Sequence, residues 1–246
     1  GQTWVASPLS MYADYAQEET SRHMPRLASA SVNAILSGLK TWLKRANFAH
    51  AAMLNNWLVS TNLYPSLHTE SVERLMAQAL QRFPHHALWW RSLNPHHHAD
   101  WLQYLQQQGV LLLPSRRIYL LDQPHTAKQR LSNWRKDVRL LRQSPVHALE
   151  AADFAAPEVC EQALRLYQQL YTDKYSLLNP QYTLTWLQAM QHSGLLHVQG
   201  LRHHNGDLVS VAGSLTNHRH LVTPFLGFDT HAPKQCGYYR MASLMA

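Results

Sequence analysis

Near the carboxyl end, Pro233, Lys234, Gln235, Cys236 and Gly237 lead into Tyr238 and Tyr239 and a helically spaced stretch. A loop of this kind feeding a helix suits an anion. The first N–H groups of a helix lack intrahelical partners, the dipole is positive there, and glycine lets a backbone approach closely. Cys236 sits just before that helix start, where the same field favours the thiolate and makes a covalent acyl-cysteine chemically accessible. A second cationic feature lies upstream, in a helix expected over about residues 127–142. There Lys128, Arg135, Arg139 and Arg142 share a face beside an apolar stripe of Leu131, Trp134, Val138 and Leu141. Such a face can hold an acidic carrier protein, a substrate phosphate or RNA. No aromatic–basic alternation or recognised RNA-binding motif accompanies it, so nucleic acid is not the expected partner.

Seventeen histidines raise the question of a metal. Neither the run His96, His97, His98 nor the pair His218 and His220 has the Cys or carboxylate pattern that would complete a zinc site, so no metal is expected. A Gly-x-Ser-x-Gly elbow, a His-Glu-x-x-His motif and a Walker loop are all missing, which removes support for hydrolase, zinc protease and P-loop chemistry.

The chain that must position these groups has 246 residues, 46% of them apolar and eight of them Trp, which is ample for a core. A formal charge of +7 favours anionic partners through the summed positive potential. The longest apolar runs, residues 110–113 and 118–121, fall far short of the ~20 residues of a membrane span. No membrane crossing is expected. Two cysteines, Cys160 and Cys236, are too few for a disulfide framework, and the Gly-Gln-Thr-Trp start lacks the pattern of a secretory signal; together they point to the cytoplasm.

Periodicity predicts a helix over 27–48, a buried strand over 51–59 and a turn over 62–66. A helix over 70–83 follows, with Val72, Leu75, Met76, Ala79 and Leu80 on one face and Pro84 as its stop. A strand at 87–93, a helix at 99–108 ended by Gly109, and strands at 110–113 and 118–121 come next. After Asp122 and Pro124 the pattern restarts with the basic helix and two further helices, 157–173 and 181–192. Strands at 195–201, 208–215 and 220–225, joined by turns at 204–207 and around Asn217, read as an antiparallel meander. A last helix begins near Gly237 and is still running at Ala246. The expected architecture is mixed α+β with a largely antiparallel sheet, in two domains, 1–122 and 123–246, the second incomplete at its carboxyl end.

Several segments carry a family likeness. They are Asn133-Trp134-Arg135-Lys136-Asp137-Val138-Arg139-Leu140-Leu141, Leu170-Tyr171-Thr172-Asp173-Lys174-Tyr175-Ser176 with Asn179-Pro180, and Gly227-Phe228-Asp229-Thr230 with Pro233 and Gly237-Tyr238-Tyr239-Arg240. Asn55-Asn56-Trp57-Leu58, Thr61-Asn62-Leu63-Tyr64-Pro65 and Arg91-Ser92-Leu93-Asn94 add to them. Together they resemble the acetyltransferase-like domains related to Fem-type aminoacyl transferases, within the GCN5-related N-acetyltransferase superfamily. The resemblance implies a tandem or composite acetyltransferase fold whose back-half elements precede its front half. It implies transfer of an acyl group from a thioester, on acyl-CoA or an acyl carrier protein, to an amine, with no tightly bound cofactor. The strand over 220–225 would present backbone groups to the donor's pantetheine arm, and Lys234, Gln235, Cys236, Gly237 and Tyr238 would hold its pyrophosphate. Tyr239, or Tyr238, would protonate the departing thiolate, Asp229 would serve as base for the amine, and Arg135 and Arg139 would bind substrate.

This chain departs from the family pattern in one place: only Gly237 matches the glycine-rich loop, and Tyr239 stands where a small residue is usual. A non-catalytic binding module of the same fold is therefore one alternative, and aminoacyl transfer from charged tRNA, suggested by the Fem-type likeness and the basic helix, is another. Since no strand follows Gly237, either 51–59 or 87–93 must close the second sheet, or its edge stays open to pair with another chain, a route to a homo-oligomer.

Overall fold

The computed structural model describes residues 3–120, 128–217 and 220–246, the side chains of 128–132 excepted, and divides into two units. Unit 1 comprises Gly1–Arg116 with Leu178–Pro180, and unit 2 comprises Arg117–Leu177 with Gln181–Ala246.

In unit 1 a wide-turned stretch, Ser10–Asp14, runs into helix α1, Tyr15–His23. This opening helix was not among the elements expected from periodicity. It stops because Met24 precedes Pro25 and is driven into extended backbone, away from the ring of the proline. Then come α2 (Arg26–Arg45), β1 (Ala51–Leu54), α3 (Thr69–Arg82), β2 (Ala87–Trp90) and α4 (Ala99–Gln107). β1 and β2 pair in parallel, Ala51 opposite Ala87 and Leu54 opposite Trp90, a connection that needs the intervening α3. Val72 of α3 and Trp101 of α4 are buried with Tyr64, and Leu67, Met76 and Trp90 close over them.

The strand expected over 51–59 ends at Leu54. Asn55 and Leu58 take left-handed backbone (φ 51° and 60°), and their neighbours bond locally: Leu58 N–H donates to Asn56 Oδ1 at 3.2 Å, and Asn55 Nδ2 to the Leu63 carbonyl at 2.9 Å. The strand at 87–93 likewise stops at Trp90, just before buried Arg91. Arg91 donates to the carbonyls of Val5 (3.1 Å), Val59 (3.3 Å) and Ser60 (3.4 Å) and to Asn56 Oδ1 (2.9 Å), and its guanidinium lies 5.4 Å from the Trp4 ring centre. Trp4 Nε1 in turn donates to Asn179 Oδ1 at 2.9 Å. Residues far apart in sequence thus interlock around one arginine, which satisfies carbonyls that no ladder reaches.

Residues 110–113 and 118–120 form no strand, and Leu121 lies outside the described residues. An apolar run supplies side chains for a strand, but the ladder requires a partner, and none lies beside this segment among the described residues.

Unit 2 contains α5 (Lys128–Gln143), β3 (Val146–Leu149), α6 (Pro157–Gln168) extended by a wide turn to Asp173, and α7 (Leu184–His192), followed by β4 (Leu196–His203), β5 (Leu208–Asn217), β6 (His220–Phe228) and α8 (Tyr238–Met245). The sheet order is β3-β4-β5-β6, antiparallel throughout. The meander is as expected; β3, which pairs Val146 with His203 and Leu149 with Gly200, was not foreseen. Pro224 lies where the β5–β6 register slips, Gly213 pairing Phe225 but Leu215 pairing Val222, as suits a residue with no N–H to give. α6 covers one face of the sheet, close enough that a Cβ on Gly227 would press on the α6 backbone at Leu166 and Tyr167. The Tyr167 ring stacks on Phe225 at 5.0 Å. On the other face α5 and α8 bury Leu201 and Met241, with Leu140 and Leu141 packed beside them.

Of the alternatives for the second sheet the open edge is the one found: β1 and β2 pair only with each other, so neither closes the four-stranded sheet, and β6 lies at its edge among the described residues. One further expectation is corrected. Trp134, assigned to the packing stripe of the basic helix, is 54% exposed; Leu140, outside that stripe, packs beside Leu141 of it because α8 approaches their side. α8 ends at Met245. The expected boundary at Asp122 and Pro124, the helix start at Ala127, residue His218, and the side chains of Lys128 and Leu131 lie outside the described residues. No described helix is long and apolar enough to cross a membrane.

Candidate functional site

The segment from the end of β6 to the start of α8 is built by its own hydrogen bonds. Asp229 N–H donates to the Val209 carbonyl at 3.0 Å, prolonging the ladder by one residue. Its carboxylate then accepts the His231 N–H at 2.9 Å and turns the chain. Lys234–Cys236 form one tight turn, with Cys236 N–H on the Pro233 carbonyl (2.9 Å) and Gly237 N–H on that of Lys234 (3.1 Å). Gly237 is left-handed (φ 68°), and a Cβ there would collide with Leu140 of α5. Glycine is demanded here by backbone conformation and by helix packing. An ion pair of Arg240 with Asp137, Nε to Oδ1 2.6 Å, ties α8 to α5.

This loop walls a cavity of about 570 Å³. Gln162 and Arg165 of α6, with Gln169 of the wide turn that extends it, form a second wall, His203 and Asp207 at the β4–β5 turn a third, and Asp229, Pro233, Cys236 and Tyr238 the loop side. Asn205 orders the turn: its N–H donates to His203 Nδ1 (3.3 Å), so the ring proton belongs on Nε2, and its side-chain amide donates to Asp207 Oδ2 (2.8 Å). Gln169 Oε1 is enclosed and accepts no hydrogen bond among the described residues. Burial pushes the Tyr238 hydroxyl above the usual tyrosine range, and the adjacent Cys236 thiol and the Asp229 and Asp207 carboxylates push the same way. Tyr238 carries its proton at neutral pH, as an unshifted tyrosine also does, and the upward push makes it a weaker acid.

The structure brings Asp229, Cys236 and Tyr238 together at one cavity and separates the other expected residues from it. Lys234 and Gln235 are exposed on the outer side of the tight turn, and Gly237 is buried under Leu140. Tyr239, 58% exposed, does not line the cavity; its ring lies 5.6 Å from that of Phe228. The left-handed turn at Gly237 sets the helix phase, so that of two adjacent tyrosines the first faces inward. Arg135 and Arg139 are exposed on α5, away from the cavity lining. His203, Asp207, Arg165 and Gln169 were not singled out from sequence. The first two lie in or beside a turn whose composition was legible but whose chemistry was not, and the others look like the solvated face of a helix. Among the described residues no group of three or more His, Cys, Asp or Glu side chains converges as a metal site. No protein-family model matches the chain, and no curated protein matches it.

Proposed function

We propose that unit 2 is an acyl-transfer domain of the GCN5-related N-acetyltransferase type, moving an acyl group from acyl-CoA or an acyl carrier protein to an amine. The observation that carries this reading is the order of its elements after the leading helix α5: a short strand, two helices, three antiparallel strands in a meander, and a loop into a helix, with sheet order β3-β4-β5-β6. This order supports reading unit 2 as the front half that the sequence resemblance implies, with β3 added to it. β6, at the sheet edge, offers backbone groups to an extended pantetheine arm, and the cavity beside Pro233, Cys236 and Tyr238 takes the reacting end. Tyr238, held protonated, donates to the departing thiolate as the amine attacks the thioester carbonyl. Asp229 is spent on its own turn and is a poor base; His203, with Nδ1 occupied, is no better placed to take the amine's proton, and bulk water serves. Arg135 and Arg139 offer a cationic face to an acidic carrier.

A non-catalytic binding module of the same fold is the second reading. It is favoured by Gly237, the lone glycine of the loop, whose missing side chain makes room for Leu140 rather than for a ligand. Calorimetry of the chain with coenzyme A and with an acyl carrier protein tests both. Binding of either donor, together with thiol release from an acyl thioester that falls at least about tenfold in Tyr238→Phe while binding persists, is expected for the transferase. Binding without thiol release selects the module, and silence with both donors removes the acyl-transfer reading.

A further inference from the structure

α2 is twenty residues long and carries Arg26, Lys40, Lys44 and Arg45 but not one carboxylate. Its inner side buries Ser29 and Leu43, and Lys40 pairs with Asp14 at 2.5 Å. Its outer side is apolar: Leu27 is 89% exposed, Ile35 72% and Trp42 63%, with Leu39 between them. Ile35, Leu39 and Trp42 follow the i, i+4, i+7 spacing of one helix face, and Leu27 lies two turns before Ile35 on the same side. The exposed cations Arg26, Lys44 and Arg45 stand at the two ends of this stripe, without an ion pair among the described residues. On neighbouring α1 the cations are matched, Arg22 with Glu18 at 3.1 Å and His23 with Glu19 at 3.5 Å.

An exposed apolar stripe with a tryptophan, interspersed with small Ala28, Ser31 and Gly38 and flanked at its ends by unmatched cations, is suited to lie flat in the headgroup region of an anionic bilayer: the apolar side chains leave water while the cations meet lipid phosphate and carboxylate. We propose that α2 docks this unit on an anionic phospholipid surface without crossing it. A bilayer fits better than a folded protein because a single helix face offers no pocket for a partner's anchoring side chain, whereas a fluid interface needs none. The net charge of +7 adds long-range attraction of the right sign.

Sedimentation of the 246-residue chain with phosphatidylcholine vesicles, with and without about 30 mol % phosphatidylserine, tests this. Binding to the anionic vesicles alone, weakened by salt, is expected. Two variants on exposed positions, Lys44→Glu with Arg45→Glu and Ile35→Ser with Trp42→Ser, should each bind at least about tenfold more weakly while keeping the wild-type circular dichroism melt. No sedimentation with anionic vesicles, or wild-type binding by both variants, overturns the proposal. So does a concentration-dependent dimer that Ile35→Ser with Trp42→Ser dissolves in the absence of vesicle binding, since the stripe would then be covered by a second copy.

Discussion

Replacing Gly227 by alanine adds one methyl group in a place that has no room for it. A Cβ at 227 would stand 2.7 Å from both the Leu166 carbonyl carbon and the Tyr167 nitrogen, backbone atoms of α6, and 3.0 Å from Leu166 Cβ. Carbon contacts are comfortable at about 3.5 Å or more, so α6 must retreat by about 0.8 Å. That helix buries Ala163, Leu164, Leu166 and Tyr167, and all of those contacts loosen together. Overpacking costs about 1–3 kcal/mol; because the obstructing atoms are backbone, the upper end is expected, or about 10 °C in melting temperature for a unit of this size. Gly38→Ala is the matched control. Gly38 is in the interior of α2 with nothing within 4 Å of its Cβ position, so the same methyl group should stabilise by up to about 1 kcal/mol through helix propensity. Scanning calorimetry with tryptophan fluorescence separates the two effects, since Trp4, Trp42, Trp57, Trp89, Trp90 and Trp101 lie in unit 1 and only Trp134 and Trp186 in unit 2. A Gly227→Ala protein melting within about 1 °C of wild type would refute the close approach of α6 to β6.

Two further perturbations address unit 1. Arg91→Ala strands the Val59 carbonyl and takes one of two donors from those of Val5 and Ser60, which keep Asn56 Nδ2 and Arg116, and urea denaturation should show a loss of about 2–3 kcal/mol; Arg91→Lys recovers little, because an ammonium cannot reach four acceptors in a fork. A loss below about 1 kcal/mol in Arg91→Ala would mean that the loop carries its own carbonyls. Tyr64, buried and donating to the Arg91 carbonyl, has its hydroxyl pushed up to about 12 by burial, above the unfolded value near 10. The folded state holds that proton more tightly, so the contribution is whole below pH about 10 and disappears as pH rises through about 12, at most about 2–3 kcal/mol. The urea midpoint should fall across that interval, and less steeply in Tyr64→Phe; equal slopes would assign the fall to other tyrosines.

What sequence alone determined are the elements whose signal is local. α2, α3, α4 and α6 were legible because helical hydrogen bonds close within four residues and the apolar period reports the buried side directly. The β4–β6 meander was legible because alternation and the turn around Asn205, Gly206 and Asp207 coincide. α1 escaped because its apolar positions are sparse and none of its residues is buried. β3, four residues with His147 and Ala148 exposed, exists only through its pairing with β4, and residues 110–113 have the composition of a strand without a partner. The candidate site was half visible. Its loop announced itself through Pro233 and Gly237, but which of Tyr238 and Tyr239 faces inward depends on one left-handed residue pressed against a helix a hundred positions away. The cavity is likewise tertiary, since it joins α6, the β4–β5 turn and the loop after β6. Local periodicity specifies what each segment can become; only the packed sheet brings Gln169, His203 and Tyr238 to one cavity, because their proximity is maintained by contacts that no single segment contains.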